Sequence, residues 1–352
     1  MQSEAVLQAI ENQRKYERKR FVVLSVFCLI LVISFVLDIM TGPSMLDASR
    51  VLYAIFEFIG LPFQVDASTQ VIVTNLRLPI ALMAIIVGGS LGVGGAEMQT
   101  LLNNSMASPY TLGMAAAAGF GAAITLYFGS LGLDSNYAVP LGAFICCMLS
   151  ACFLFALASM RHISSGQLIL AGIALLFLFQ SLLSLVQFVS SPELSQQILF
   201  WLFGSLSKAT WGNLFVTSLV VVVVVGVALL LKDSWKLTAL RLGEERAKSV
   251  GVNVAKLRLK TLFIVALMTA TVTSFVGIIG FVGIVAPNIA KMLVGEDQRF
   301  FLPLSFLIGA FLLSTASVLS KVIVPGALFP IGIVTAIIGV PFFFWLIIAK
   351  RG

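Results

Sequence analysis

Charge-free length is the strongest constraint in this chain. No Asp, Glu, Lys or Arg occurs in residues 21–37, 78–96, 98–133, 135–160, 163–192, 209–231, 261–290, 300–320 or 322–349. An apolar stretch of about 18 residues or more is long enough to cross the hydrocarbon of a bilayer as a helix. Such stretches recur from one end to the other, so the bilayer is the solvent. Composition agrees: 59% of the residues are hydrophobic and 11% charged, against about 25% charged in an ordinary soluble domain. Small-residue clusters such as "AAAAGFGAA" (115–123) suit helices packed closely in lipid. Cys28, Cys146, Cys147 and Cys152 all fall in apolar spans at no metal-binding spacing. They read as small buried apolar residues.

Apolar runs fall at about 21–37, 78–97, 110–128, 138–160, 164–190, 210–231, 260–279, 281–294, 300–322 and 331–349. They predict an all-α polytopic membrane protein of about ten transmembrane helices. The eighth run is short and belongs to "VGIIGFVGIVAP" (276–287), whose Gly and Pro break regular helix. A broken helix survives in a membrane only where protein or a cavity covers its backbone. Residues 1–20 read as a short cytosolic segment, with Val6, Leu7 and Ile10 on one face, and residues 21–352 as the transmembrane domain. The run after "RKYERKR" (14–20) ends without a small-x-small cleavage site, so it is expected to be retained as a span.

With the N-terminus inside, 18 of the 22 Lys and Arg fall on the inner side. The outer side keeps only Arg50, Arg77, Lys208 and Lys321. That bias puts both termini in the cytoplasm. It also explains the net charge of +7 as a topology signal, leaving no case for nucleic acid as a partner. Spans two to five and seven to ten then enter from opposite sides, the arrangement of inverted-repeat transporters.

Between the sixth and seventh runs lies a dense charged island, residues 232–260, with eight Lys or Arg and three acidic residues. A simple connection would need only a few residues. The island reads as two helices, one over Ala239 to Val250 stopped by Gly251 at a C′-type position, the next starting at Val254. Two helices at a sharp turn make a knob that could fit a partner's groove. A solvated hairpin obeying the positive-inside bias accounts for the pattern equally well.

Four stretches carry a family resemblance. "LGEERAKSVGVNV" (242–254) resembles the cytoplasmic coupling loop of the FecCD-type ABC-importer permeases, which serve iron–siderophore complexes, haem and cobalamin. The stretches 75–113, 280–303 and 328–347 resemble that family's second span and following loop, its Phe-x-Gly-Leu-x-x-Pro-His segment, and its last span. The resemblance implies a type II importer permease with inverted-topology halves in a bacterial cytoplasmic membrane. It implies as partners a second permease subunit, two ATP-binding subunits and an extracytoplasmic binding protein. The island would take up the ATPase movement, centred on Glu244, Glu245 and Gly251. The chain has no Gly-x4-Gly-Lys-Ser/Thr phosphate loop, so it is expected to be a transport subunit without cofactor, hydrolysis being its partner's work.

Candidate pathway residues follow from the residues and the resemblance together. Gln180, Ser184, Gln187 and Ser191 recur at i, i+4, i+7 and i+11, one stripe of a helix. Such a stripe faces protein or a cavity; the resemblance favours pore lining over packing. The stripe carries no charge, whereas a bare metal ion would need carboxylate, imidazole or thiolate ligands. A ligand bringing its own metal coordination, a chelate, fits better. Among the family's substrates the resemblance, by family frequency and through "SPYTLG" (108–113), implies an iron(III)–siderophore, with haem or cobalamin as alternatives. The resemblance places inner gates at "NNSMASP" (103–109), through Asn104 and Met106, and at "HISSG" (162–166), through Ser164 and Ser165. Either loop also reads as an ordinary helix cap. Glu97, an acid well inside an apolar run where the family has an apolar residue, reads as interfacial or paired, or as part of the inner gate. A different class, a proton-coupled secondary carrier, would titrate Glu97.

On the outer face, "LRLPI" (76–80) keeps the first Arg of the family's docking motif as Arg77 and has Ile80 in place of the second. Lys321 occupies a further basic position. The two are expected to dock the binding protein, with lipid headgroups as the plainer use of such charges. The missing charge at Ile80, with Asn288 where the family often has His, points to one member of a heterodimer, a homodimer remaining open.

Overall fold

The computed structural model describes residues 2–349 except 43, 45, 130, 131, 133, 161, 162, 231–233 and 324–328. Arg161, His162, Lys232, Lys350 and Arg351, among the basic residues and the expected gate at 162–166, lie outside the described residues. Every regular element among the described residues is helical. The order is α1 (Gln2–Met40), α2 (Ala48–Phe58), α3 (Ala67–Val71), a π-helical stretch (Ile72–Arg77) and α4 (Leu78–Leu101). Then come α5 (Met114–Phe128), α6 (Ser135–Ser159), α7 (Ser165–Val189), α8 (Pro192–Leu202) and α9 (Trp211–Leu230). The island holds α10 (Ser234–Arg241) and α11 (Glu244–Ser249). The chain closes with α12 (Val254–Val276), α13 (Val282–Val294), α14 (Gln298–Val322) and α15 (Ile331–Ala349).

Among the described residues six helices are long and apolar enough to span a bilayer, and α5, α13, α15 and part of α9 are shorter apolar helices. These ten helices match the ten apolar runs. The break before α13 lies where the glycines put it, and Phe281 there has φ 65°, unusual for a side chain this large. Protein covers that backbone: the Ser205 N–H donates to the Val276 carbonyl at 2.8 Å.

The centre of the bundle is α4, buried over most of its length. Gly88, Gly92 and Gly95 form one stripe along it. A Cβ on Gly88 would stand 2.3 Å from the Gly309 carbonyl oxygen, and one on Gly92 2.2 Å from that of Ser305. One on Gly95 would stand 1.7 Å from the Gly283 oxygen. Thus α14 crosses α4 antiparallel, and α13 lies along it, backbone to backbone. In lipid, where burial itself gives helices no reason to associate, such close van der Waals approach does.

One helix runs from Gln2 to Met40 without a break at residue 20. It packs parallel to α14. Arg20 pairs with Asp297 at 3.1 Å and Phe21 meets Phe300 edge-on at 5.2 Å. Further along, Ser34 and Ser314 share a 2.8 Å hydrogen bond. Both helices therefore start at the same end of the bundle, the end that carries the island, called the basic end below.

Within the island the expected helix over 239–250 is split. Gly243 has φ 109°, a backbone that glycine tolerates and a helix does not, so α10 ends at Arg241 and α11 starts at Glu244. The stop at Gly251 is as read: φ is 84°, its N–H donates to the Lys248 carbonyl at 3.0 Å, and the Val252 N–H donates to that of Ala247 at 3.0 Å. These two bonds make a Schellman C-cap.

Candidate functional site

At the basic end, the island is tied to the bundle at two arginines. Arg258, in the second turn of α12, forms an ion pair with Glu244, the first residue of α11. Its Nη1 donates to the Ile163 carbonyl at 3.2 Å and its Nη2 to Ser165 Oγ at 3.4 Å. Arg241, at the end of α10, donates to the Gln99 carbonyl at 3.3 Å and pairs with Glu296 at 3.0 Å. Lys291 pairs with the same Glu296. The island therefore grips the start of α7, the end of α4 and the turn between α13 and α14. Glu244, read as a coupling residue, and Ser165, read as a gate residue, meet through Arg258. Neither Arg241 nor Arg258 was singled out from sequence, where they are two basic residues among eight.

Glu245 points outward, 88% exposed, with Lys248 at 2.8 Å. The hydrogen bond and charge of Lys248 hold its carboxyl below the usual range. It makes no tie to the bundle.

The loop at 103–109 is folded on itself and onto α13. Asn104 Oδ1 accepts from the Met106 N–H at 2.9 Å, and Asn103 has φ 45°. Asn288 Nδ2 donates to the Ser105 carbonyl at 3.0 Å, so α13 holds this loop. Met106 is exposed. Ser164 is the N-cap of α7 in a full capping box with Gln167, the plainer of its two readings. Glu97 is buried rather than interfacial; its Oε2 has no hydrogen-bond partner, and Lys260 lies within electrostatic range.

Gln180 and Ser184 are exposed on α7 and Gln187 is half-buried. Ser191 leaves the stripe: α7 ends at Val189, and Ser191 caps α8, accepting from the Leu194 N–H at 3.3 Å. The uncovered arc of α7 has two edges. Gln180, Ser184 and Gln187 line one, and the exposed Leu178 and Leu185 line the other.

The two cations expected to dock at the outer face need correction. Arg77 is 4% exposed and donates to the carbonyls of Ile39, Met40 and Ser44, closing the C-terminus of α1. Lys321 is 6% exposed and pairs with Asp38 at 2.6 Å, beside a 2.7 Å bond from Ser317 to the same carboxylate. Neither offers the free charge on which docking would rest, because each is consumed by α1. Sequence put them at outer helix ends; it did not show Asp38 as the partner. Of the four basic residues expected on the outer side, Arg50 and Lys208 are exposed.

An all-helical bundle of this topology, with a charged knob clamped to its basic end, defines a class of membrane transport subunit. Comparison identifies it. A solved structure of an ABC transporter assigned to the metal-chelate type, in an inward-facing conformation, superposes with a TM-score of 0.80 at 29% identity, covering 93% of this chain and 99% of that one. The hemin transport system permease protein of Yersinia pestis is 35% identical over 279 residues, 79% of this chain and 83% of that one. The vitamin B12 import system permease protein of Vibrio vulnificus is 30% identical over 312 residues, 87% of this chain and 93% of that one. The sequence model of the FecCD transport family matches residues 30–349, and the chain belongs to that family. It is a multi-pass ABC-importer permease, a transport subunit and not an enzyme. It works as part of a dimeric permease with separate ATP-binding subunits and a substrate-binding protein. The proton-coupled carrier reading falls with that membership.

Proposed function

We propose that this chain forms the membrane pathway of an importer for an iron(III)–siderophore complex. The binding protein delivers the chelate to the outer end, and two ATPase subunits dock at the basic end, which is cytoplasmic with both termini. A second permease subunit, not identical to this one, faces the uncovered arc of α7. The observation that carries the reading is the uncharged polar edge of that arc. Gln180 and Ser184 stand open and Gln187 half-open, and no carboxylate, imidazole or thiolate joins them along α7. An edge of this kind can hydrogen-bond the periphery of a chelate but cannot replace the ligands of a bare metal ion. The similar permeases named for hemin and vitamin B12 also serve bulky metal-containing ligands. Gating belongs to the 103–109 loop with Asn104 and Met106, to Ser164 and Ser165, and to Glu97 above them. Coupling belongs to Glu244, Glu245 and Gly251.

The test is calorimetric titration of the cognate binding protein with iron(III)-loaded siderophores, haem and cyanocobalamin in parallel. The reading predicts that a ferric siderophore binds tightest and that its iron-free form binds weakly. Tightest binding of haem or cyanocobalamin would replace the substrate while keeping the importer.

A further inference from the structure

We infer that Arg258 is the positioning residue that carries movement of the coupling helix α11 to the base of α7. The inference rests on the importer reading above and goes beyond it by naming the physical link. One guanidinium joins three segments far apart in sequence. Its side chain is 6% exposed and paired with Glu244 at the start of α11. Its two terminal nitrogens reach the Ile163 carbonyl at 3.2 Å and Ser165 Oγ at 3.4 Å. Ser165 Oγ stands 3.5 Å from Glu244 Oε1, which closes the triangle. Arg258 itself is rooted in α12, a helix buried through the bundle.

Arginine suits this post. Its planar fork presents donors in fixed directions, so three acceptors can be held at once. A lysine ammonium could follow Glu244 but would let go of Ile163. A buried guanidinium does not leave one partner without gaining another, because an unpaired buried charge is costly. A shift of α11 therefore moves the Ile163–Ser165 segment with it or breaks the whole triangle. Ser165 is the first residue of α7. From there to Gln180 is about 22 Å along a rigid helix, so a small tilt at the base displaces the polar edge.

The experiment uses the whole importer, permease with ATPase subunits and binding protein, in proteoliposomes. Spin labels go at Leu170 on α7 and Val22 on α1, both exposed. With Arg258 intact, the Leu170–Val22 distance should change between nucleotide-free and ATP-bound states. R258A and R258K should still assemble and hydrolyse ATP at the basal rate. Ligand moved per ATP should fall about tenfold in R258A, the scale of one charge-assisted hydrogen bond, with a smaller fall in R258K. The distance should no longer respond to ATP in R258A. A distance that still responds, with transport per ATP unchanged, overturns the inference. Loss of assembly in both variants overturns it too, since the arginine is then only holding the fold. If the wild-type complex itself neither binds the ATPase nor transports, the importer reading fails instead.

Discussion

Replacing Lys321 by Met separates a structural cation from a docking one. Asp38 is fully buried and its Oδ2 already lacks a partner. Removing the ammonium leaves the carboxylate with only the Ser317 hydroxyl at 2.7 Å. Breaking a buried pair by deleting one member costs about 3–5 kcal/mol. The stranded group can escape by taking a proton, which at pH 7 costs an ordinary carboxyl about 4 kcal/mol. The expected loss for Lys321→Met is therefore about 3–4 kcal/mol in the unfolding free energy, from within those two bounds. Asp38→Asn with Lys321→Met removes both charges and should recover most of it, to within about 1 kcal/mol of wild type. Equilibrium unfolding in mixed detergent micelles reads both values, and surface plasmon resonance reads association with the binding protein. The double variant should associate at the wild-type rate. A single variant as stable as wild type, or a double variant as damaged as the single, would refute the buried-pair argument. A slowed association in a stable double variant would restore the docking role.

Other variants probe separate parts of the account. Gly309→Leu places side-chain atoms where the Gly88 carbonyl lies, a Cβ alone being 2.3 Å away, and should abolish folded permease in membranes. Gly280→Ala has nothing within 4 Å of the new Cβ and should express normally, so equal expression of the two would count against the close α4–α14 seating. Gly251→Val forces a branched residue into φ 84°, costing about 1–2 kcal/mol locally; ligand-stimulated ATP turnover should drop while basal turnover stays, and unchanged stimulation argues against a coupling role. Cysteines at Gln180, Ser184 and Gln187, in a background without the native cysteines, should react with a water-soluble thiol reagent in the assembled dimer while one at Leu185 should not; equal labelling would remove the polar edge from the pathway. At Asp297, partial burial pushes the carboxyl up but the bonds from Arg299 outweigh it and hold it below the ordinary range. Such a group stabilises above its unfolded value and loses that contribution only as pH falls through the folded one. A spin label at Tyr16 should therefore stay immobile down to about pH 5, and release near neutrality would contradict the Arg20–Asp297 tether.

How much was legible in the sequence depends on what each feature answers to. The six long helices answer to bilayer thickness, a length a reader can count, and with the four shorter apolar helices they fall where the charge-free runs fall. Gly251 answers to local backbone geometry, and so does Gly243, which splits the helix expected over 239–250. Ser191 departs from the expected stripe for a reason carried by the sequence: Pro192 follows it, and a residue before proline is pushed out of helix while proline itself favours the first helical position. Arg77, Lys321 and Arg258 answer to partners far away in the chain, 38, 283 and 95 residues off. No spacing within one helix announces those. Asp38 closes the first apolar run and could have been asked what neutralises it, since a carboxylate at that depth needs a partner. That question leads to Lys321, which stands alone between two charge-free runs.

The most direct test of the central claim is uptake into proteoliposomes. They would hold this chain with its permease partner and the ATPase subunits, with binding protein and radiolabelled ferric siderophore outside and ATP sealed within. The account predicts accumulation that requires ATP, ATPase and binding protein together, and that is indifferent to a pH gradient. Accumulation by the permease alone, driven by a pH gradient and lost in Glu97→Gln, would contradict it.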